Sequence, residues 1–189
     1  PDGFAIDPEE IRRKADPKAK AVIVTHLWGV PAEMDEILEV AGEKNLIVVE
    51  DCSHAHGATY KGKKVGSIGH IGCFSLQGSK SIVAGEGGVM VTDNRLFYER
   101  AMLLGHHDVR LQQELTLEET KRYITCGMYW KYRATPINIA IARTQLKHLE
   151  EWTRNRRENR EYLKKKIEDI EFIVWPKIPD YAELGFYGT

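Results

Sequence analysis

Asp51 and Lys80 are the side chains of this sequence best placed for chemistry. Asp51 directly follows a buried-strand pattern, within Glu50-Asp-Cys-Ser-His-Ala-His-Gly57. In open α/β sheets ligands bind beyond the carboxyl ends of the strands, so a carboxylate at that point is placed to meet one. The plainer reading is an aspartate capping the turn that follows, and His54 and His56 read as well as ordinary packed or exposed side chains. Lys80 closes Phe74-Ser-Leu-Gln-Gly-Ser-Lys80, just past another buried strand and ahead of Ala84-Gly-Glu-Gly-Gly88. A lysine at the edge of an apolar crevice sheds its proton more readily than one in water, which suits it to attack a carbonyl. Its plainer reading is an exposed loop lysine. The glycines alone read as turn formers, because Gly85-x-Gly87 is neither a P-loop nor a dinucleotide fingerprint. Taken together, the aspartate and the lysine match what pyridoxal phosphate requires. The carboxylate keeps the pyridine nitrogen protonated so that the ring accepts electrons, and the lysine carries the aldehyde as an imine and later moves a proton. Ser75 or Ser79 offers a hydroxyl for the phosphate.

These residues need a sheet to hold them. The continuous β-branched run 21–25 and the run 46–50 predict two buried strands. Between them Met34, Ile37, Leu38 and Ala41 recur at helical spacing to about residue 44, with Pro31 suited to the first helical turn. Strand, helix and strand make a βαβ unit, which crosses over right-handed and pairs its strands in parallel. Segment 8–14 is a short amphipathic piece. Segment 60–69 alternates turn glycines with short extended pieces, and 71–76 and 88–92 predict a third and a fourth strand. A helix is expected over 95–104, a polar loop over 105–116, and a short helix over 117–124 with Thr116 as N-cap. The longest helical pattern, about 137–170, places Ile139, Ala142, Leu146, Leu149 and Trp152 on one stripe.

Composition narrows the class. The 189 residues are 42% hydrophobic and 29% charged, which excludes disordered and fibrous chains. A formal net charge of −1 provides no global field for nucleic acid or an anionic membrane. The apolar runs fall far short of the roughly 20 residues of a bilayer span, and no charged-then-apolar signal segment opens the chain. Three cysteines at irregular spacing argue against a disulfide framework and for a reducing compartment. The expectation is an α/β protein of the cytoplasm, of one-domain length.

The motifs also carry a resemblance. Thr25-His-Leu-Trp-Gly-Val-Pro-Ala-Glu-Met-Asp35, Glu50-Asp51 with His54 and Gly57-Ala58, Gly62-Lys63, Val65-Gly66, Phe74-Ser75 with Lys80, and Gly85-Glu-Gly-Gly88 follow one pattern. It resembles the DegT/DnrJ/EryC1/StrS family of pyridoxal phosphate-dependent aminotransferases, which build amino sugars and aminocyclitols. The match runs over about 7–163, where Tyr132-Arg133, Pro136, Gln145-Leu146 and Leu149-Glu150 resemble the entry into the family's long connecting helix. The resemblance implies a fold-type-I large domain, an α/β fold with a mainly parallel sheet flanked by helices. It implies that Lys80 is the internal-aldimine lysine and Asp51 the partner of the ring nitrogen. His54 matches a glutamine-or-histidine position contacting the ring, and Ser75 a hydroxyl of the phosphate site. Arg133 lies where relatives send polar side chains across a homodimer into the neighbouring site. Lys131 stands where relatives usually carry asparagine, and a lysine meets a phosphate only as a flexible point charge. The implied reaction is transfer from glutamate or glutamine to a nucleotide-linked keto sugar or a keto-cyclitol. Lys80 favours transamination over the dehydration of relatives with histidine at that position, and Phe74-Ser-Leu-Gln leans toward the glutamine-using aminocyclitol branch. On the family's plan, residues 1–150 are part of the large domain, without the N-terminal phosphate loop. Residues 151–189 are the connecting helix and the start of a truncated small domain.

Three rival readings compete with this one. Cys52-x-His54-x-His56, with His106-His107 near in space, offers zinc ligands but no second cluster at standard spacing. The arginines of 154–160 suggest nucleic acid, yet Arg154/Glu158 and Arg157/Glu161 at i,i+4 read as a solvated helix face, and no aromatic interleaves them for stacking. The third is a non-catalytic fragment of such an enzyme, folded but unable to close the site and carrying exposed apolar surface.

Overall fold

The computed structural model describes residues 5–126, 130–175 and 178–187. Helix α1 (Pro8–Lys14) forms where 8–14 is amphipathic, and Asp7 caps it by accepting the Glu9 N–H at 2.9 Å. Strand β1 (Ala21–Thr25), helix α2 (Met34–Glu43) and strand β2 (Ile47–Asp51) are the βαβ unit. Pro31 lies ahead of α2 rather than in its first turn. Strand β2 starts and ends one residue later than the apolar run indicates, so Asp51 is the last residue of the strand, not the first beyond it.

Two short strands, β3 (Thr59–Tyr60) and β4 (Lys63–Lys64), come next, followed by β5 (Ile71–Ser75) and β6 (Gly88–Val91). The main sheet has the order β1-β2-β5-β6. The β1–β2 and β2–β5 pairs are parallel, whereas β5 and β6 are antiparallel. A parallel return needs a long crossover, usually helical. The segment 76–87 instead folds back on itself, with Leu76 N–H to Gly87 O at 2.9 Å and Ala84 N–H to Leu76 O at 2.8 Å. The sheet is therefore mainly parallel with one antiparallel edge.

The largest core lies between α1, α2 and the β1–β2 end of the sheet. Val24, Ala32, Met34, Ile37 and Val48 are fully buried there, each large side chain contributing roughly 1.5–3 kcal/mol. A second cluster gathers Met102, Leu103, Leu111 and Leu115. It joins α3 (Arg95–Gly105) to α4 (Asp108–Glu114). Helix α4 replaces the polar loop expected at 105–116. Its sequence is polar apart from Val109, which is exposed, and Leu111, which is fully buried. Helix α5 (Glu118–Lys121) is shorter than expected and has Leu117 at its N-cap position. Thr116 does not cap it, because its N–H and hydroxyl both donate to Glu99 at 2.8 Å.

The long pattern over 137–170 is two helices, α6 (Pro136–Leu146) and α7 (Leu149–Lys166). Tight i→i+3 bonds, Lys147 N–H to Thr144 O at 3.3 Å and His148 N–H to Gln145 O at 2.9 Å, close α6 and re-aim the chain. The expected stripe divides at that break. Ala142, Leu149 and Trp152 pack on Leu76, Ile82 and Ala84, while Ile139 and Leu146 remain exposed. The expected Arg154/Glu158 and Arg157/Glu161 pairs are not among the ion pairs of the described residues. Arg157 reaches Glu183 at 3.6 Å and Arg160 reaches Glu161 at 2.6 Å. A last strand, β7 (Ala182–Glu183), pairs antiparallel with β3 and ties the C-terminal segment to the sheet domain.

Candidate active site

Asp51 ends the central strand of the sheet, with Thr25 beside it on β1 and Cys73 on β5. The chain then leaves the sheet, and Asp51 Oδ1 accepts the Ser53 N–H at 3.0 Å. That is the turn-capping role of the plainer reading. It uses one oxygen only: Oδ2 makes no hydrogen bond among the described residues and stays available to a ligand at the carboxyl end of the sheet.

The residue before it explains why this strand end is rigid. Glu50 is fully buried, and its carboxylate accepts four hydrogen bonds. They come from His26 Nε2 at 3.0 Å, Gly66 N–H at 2.7 Å, Ile68 N–H at 2.8 Å and Gly69 N–H at 2.6 Å. Burial alone would push the Glu50 carboxyl up, but the bonds from His26 and the three backbone amides hold it below its ordinary value. His26 Nδ1 accepts the Ala32 N–H at 3.0 Å, so Nε2 carries the proton given to Glu50. Gly72 permits the arrangement, since a Cβ there would collide with the backbone of Gly66. Sequence reasoning missed Glu50 and His26. The signal was an acid in a buried apolar run, which must have partners.

His26, Glu50 and Cys52 also form a buried group with metal-ligand spacing. The His26 and Glu50 lone pairs are engaged as described, and burial pushes the Cys52 thiol up, away from the thiolate a metal needs. The Cys52, His54 and His56 grouping considered from sequence is not a metal cluster among the described residues.

Lys80 follows a tight turn in which its N–H bonds Gln77 O at 2.9 Å. The Ser75 hydroxyl accepts the Gln77 N–H at 3.3 Å, and the Ser79 hydroxyl donates to Gln77 Oε1 at 2.6 Å. The Lys80 ammonium lies over the Tyr187 ring, 4.2 Å from its centroid. That ring stacks on His54 with centroids 3.8 Å apart and planes 12° apart. Trp28 borders both rings, and its backbone N–H donates to His54 Nδ1 at 3.4 Å. The Tyr187 and Ser79 hydroxyls are 3.2 Å apart, and bonds from Ser79 and Lys80 lower the Tyr187 phenol.

His54 feels both proposed functional charges. Burial lowers its pKa, the Lys80 charge lowers it further, and Asp51 opposes them. His56 is buried against Phe74. Its pKa falls through burial, with smaller contributions from Lys80 and His54. The Ser75 carbonyl lies close enough to favour its protonated form without meeting hydrogen-bond geometry.

The fold thus gathers Asp51, His54, Ser75 and Lys80 at one end of the sheet. Tyr187 joins them from the far end of the chain, which no local motif announces. It arrives because β7 pairs with β3 and Gly185 N–H bonds Gly29 O at 3.0 Å. Gly185 sits so close to Ala55 that a Cβ would come within 2.7 Å of its backbone. Lys131 and Arg133 do not join the group. Both are exposed, on the segment where Trp130 N–H bonds Leu104 O at 2.8 Å, and the Arg133 charge acts on His106.

Comparison with known proteins agrees with this geometry. Residues 1–185 match the DegT/DnrJ/EryC1/StrS aminotransferase family. GDP-perosamine synthase of Escherichia coli O157:H7 is 35% identical over 161 residues, covering 85% of this chain and 42% of the relative. L-glutamine:2-deoxy-scyllo-inosose aminotransferase of Streptomyces kanamyceticus is 31% identical over 201 residues, covering 99% and 44%. The X-ray structure of an aminotransferase from Psychrobacter cryohalolentis superposes with a TM-score of 0.80 at 30% identity, covering 97% of this chain and 49% of that one. The chain therefore spans about half the length of the proteins it matches. A strand-end aspartate and a post-strand lysine on a mainly parallel α/β sheet, together with a match over nearly every residue, lead to one conclusion: the chain belongs to the DegT/DnrJ/EryC1/StrS aminotransferase family.

Proposed function

We propose that this chain carries the pyridoxal phosphate site of an aminotransferase that moves an amino group from glutamate or glutamine to a nucleotide-linked keto sugar or a keto-cyclitol. One observation carries the reading: Asp51 ends β2 with only Oδ1 engaged among the described residues, and the Lys80 ammonium lies over the ring that stacks on His54. The residues fit the cofactor. His54 and the Lys80 ammonium hold a flat aromatic ring between them, that of Tyr187, so a planar cofactor ring would suit these two side chains in the place Tyr187 takes here. When bound, pyridoxal phosphate supplies an aldehyde and a protonated ring that takes up electrons.

The chain's own groups do the rest. Asp51 Oδ2 accepts the hydrogen bond of a ring N–H and keeps that proton in place. Lys80 would hold the aldehyde end of the cofactor and, as a free amine, would take and return the proton at the substrate carbon. His54 contacts the ring, and the Ser75 hydroxyl, with Ser79 near it, donates to the phosphate. Glu50 holds the strand end so that Asp51 does not shift. Lys131 and Arg133, exposed and apart from the group, act across a homodimer in the neighbouring site. The apolar side chains of α6 left exposed, Ile137, Ile139, Ile141 and Leu146, suit such a contact. Residues 1–150 serve as large domain, and 151–189 lead into a small domain. A cytoplasmic location is the one its free cysteines support. No helix among the described residues is long and apolar enough to cross a membrane.

The test is titration of the chain with pyridoxal phosphate, followed by visible absorbance. A saturable band in the wild type that is lost in Lys80→Ala is the expected result. A band that persists in Lys80→Ala overturns the assignment.

A further inference from the structure

Tyr187 takes up the contacts that the proposed cofactor site offers. Its ring stacks on His54 at 3.8 Å between centroids, and the Lys80 ammonium lies 4.2 Å from its own centroid. Its hydroxyl is 3.2 Å from that of Ser79, one of the serines offered to the phosphate. Trp28 stacks on the same ring, with centroids 6.0 Å apart and planes 22° apart. One group of the site is left over. Among the described residues nothing bonds Asp51 Oδ2, Tyr187 included.

The backbone that delivers this ring is held in an unusual form. Phe186 has a φ of 52°, in the left-handed region that residues with side chains rarely adopt. Such a conformation persists only where the surroundings enforce it. Phe186 is buried, and its carbonyl accepts the Ser81 hydroxyl at 3.4 Å. Just before it, Gly185 N–H bonds Gly29 O at 3.0 Å. A Cβ on Gly29 would come within 2.7 Å of the Phe186 nitrogen, so the close approach needs that glycine. Past these ties the half-buried Tyr187 side chain rests only on its ring contacts and one hydroxyl. The chain is anchored through Phe186, and the ring is the part free to leave.

We infer that Tyr187 is a removable cover on the cofactor site: its ring fills the slot of the cofactor ring, and each excludes the other. This rests on the pyridoxal phosphate reading of Lys80 and Asp51. The His54 stack, the Lys80 contact and the serine hydroxyl serve either ring. Only a pyridine N–H satisfies Asp51 Oδ2, and only the cofactor brings a phosphate. Those two extra contacts displace the cover. The apparent affinity for the cofactor is then the intrinsic one scaled by the fraction of chains whose cover is open.

Pyridoxine phosphate is the probe, because it has the ring and the phosphate but no aldehyde to react with a lysine. It is titrated into the 189-residue chain carrying ¹³C-labelled tyrosine rings, with the Tyr187 signals identified by their loss in Tyr187→Phe. Those signals start displaced by the His54 and Trp28 rings and are expected to move to unstacked positions as the probe saturates. Tyr187→Ala is expected to bind the probe ~10-fold more tightly than the wild type, the scale of the ring contacts given up on opening. Tyr187→Phe keeps the ring and stays close to the wild type. Equal affinity in the wild type and Tyr187→Ala, weaker binding in Tyr187→Ala, or Tyr187 signals unmoved at saturation overturns the inference. So does a probe that binds neither chain. Borohydride labelling with pyridoxal phosphate separates this from the cofactor reading. Label on Lys80 in the wild type and in Tyr187→Ala keeps that reading standing where the cover fails. No label on Lys80 in either defeats the reading, and the cover with it.

Discussion

The two sides of the main sheet are built differently. At the β1–β2 side the chain satisfies itself: α1 and α2 cover the strands, and the buried Glu50 carboxylate has four donors from this same chain. At the β6 side and along α6 it does not. Val89, Met90 and Val91 are exposed on β6, and Ile137 and Leu146 on α6 are 74% and 59% exposed. The contrast separates two tasks. The first side fixes Asp51 by internal contacts, while the turn to Lys80 packs on Ala142, Leu149 and Trp152. The second presents apolar surface of the kind the proposed homodimer contact would bury.

The largest expected effect breaks the self-satisfied side. Glu50→Ala orphans His26 and three backbone N–H groups, and we expect a loss of about 3–5 kcal/mol in urea unfolding. A loss below about 1 kcal/mol would mean that this network does not hold the strand end.

Acid sharpens the same point. Glu50 sits below its ordinary carboxyl value, and Glu99 is held at about 2 because bonds from Thr120, Thr116 and Arg95 outweigh its burial. Unfolded glutamates titrate near 4.3. Below that pH the unfolded chain binds more protons than the native one, so stability declines as pH falls from about 5 toward 2. Glu50→Gln is expected to flatten this decline in unfolding measured across that range. An unchanged slope would count against the Glu50 contribution.

Smaller effects probe the uncovered side. Ile137→Asp with Leu146→Glu is expected to change stability by only about 0.5 kcal/mol, as exposed positions do, while sedimentation shows less self-association. A large drop in stability with unchanged association would mean that this face packs within one chain. Smallest of all, Tyr187→Ala removes two ring stacks, on His54 and Trp28, and one cation–π contact. The expected cost is about 0.5–1.5 kcal/mol by thermal unfolding, and no change would show that the C-terminal segment docks through Gly185 and β7 alone.

The same contrast governs what could be read from sequence. Strands β1, β2, β5 and β6 were legible because their runs are apolar and β-branched, and Asp51, Lys80, His54 and Ser75 because local motifs place them at strand ends. Contacts made at long range were not. Tyr187 meets His54 through the β3–β7 pairing and the Gly185–Gly29 bond, and Glu50 finds donors in His26 and residues 66–69. Helix α4 hid behind a polar sequence whose buried face is little more than Leu111, and the α6–α7 break hid because helical spacing continues through it.

The central claim is that Lys80 is the amine that engages pyridoxal phosphate. Incubation of the chain with the cofactor, borohydride reduction and peptide mass mapping tests it most directly. The account expects one pyridoxyl group per chain, on the peptide containing Lys80 and absent from Lys80→Ala. Label spread over the surface lysines with none enriched at Lys80 would contradict it.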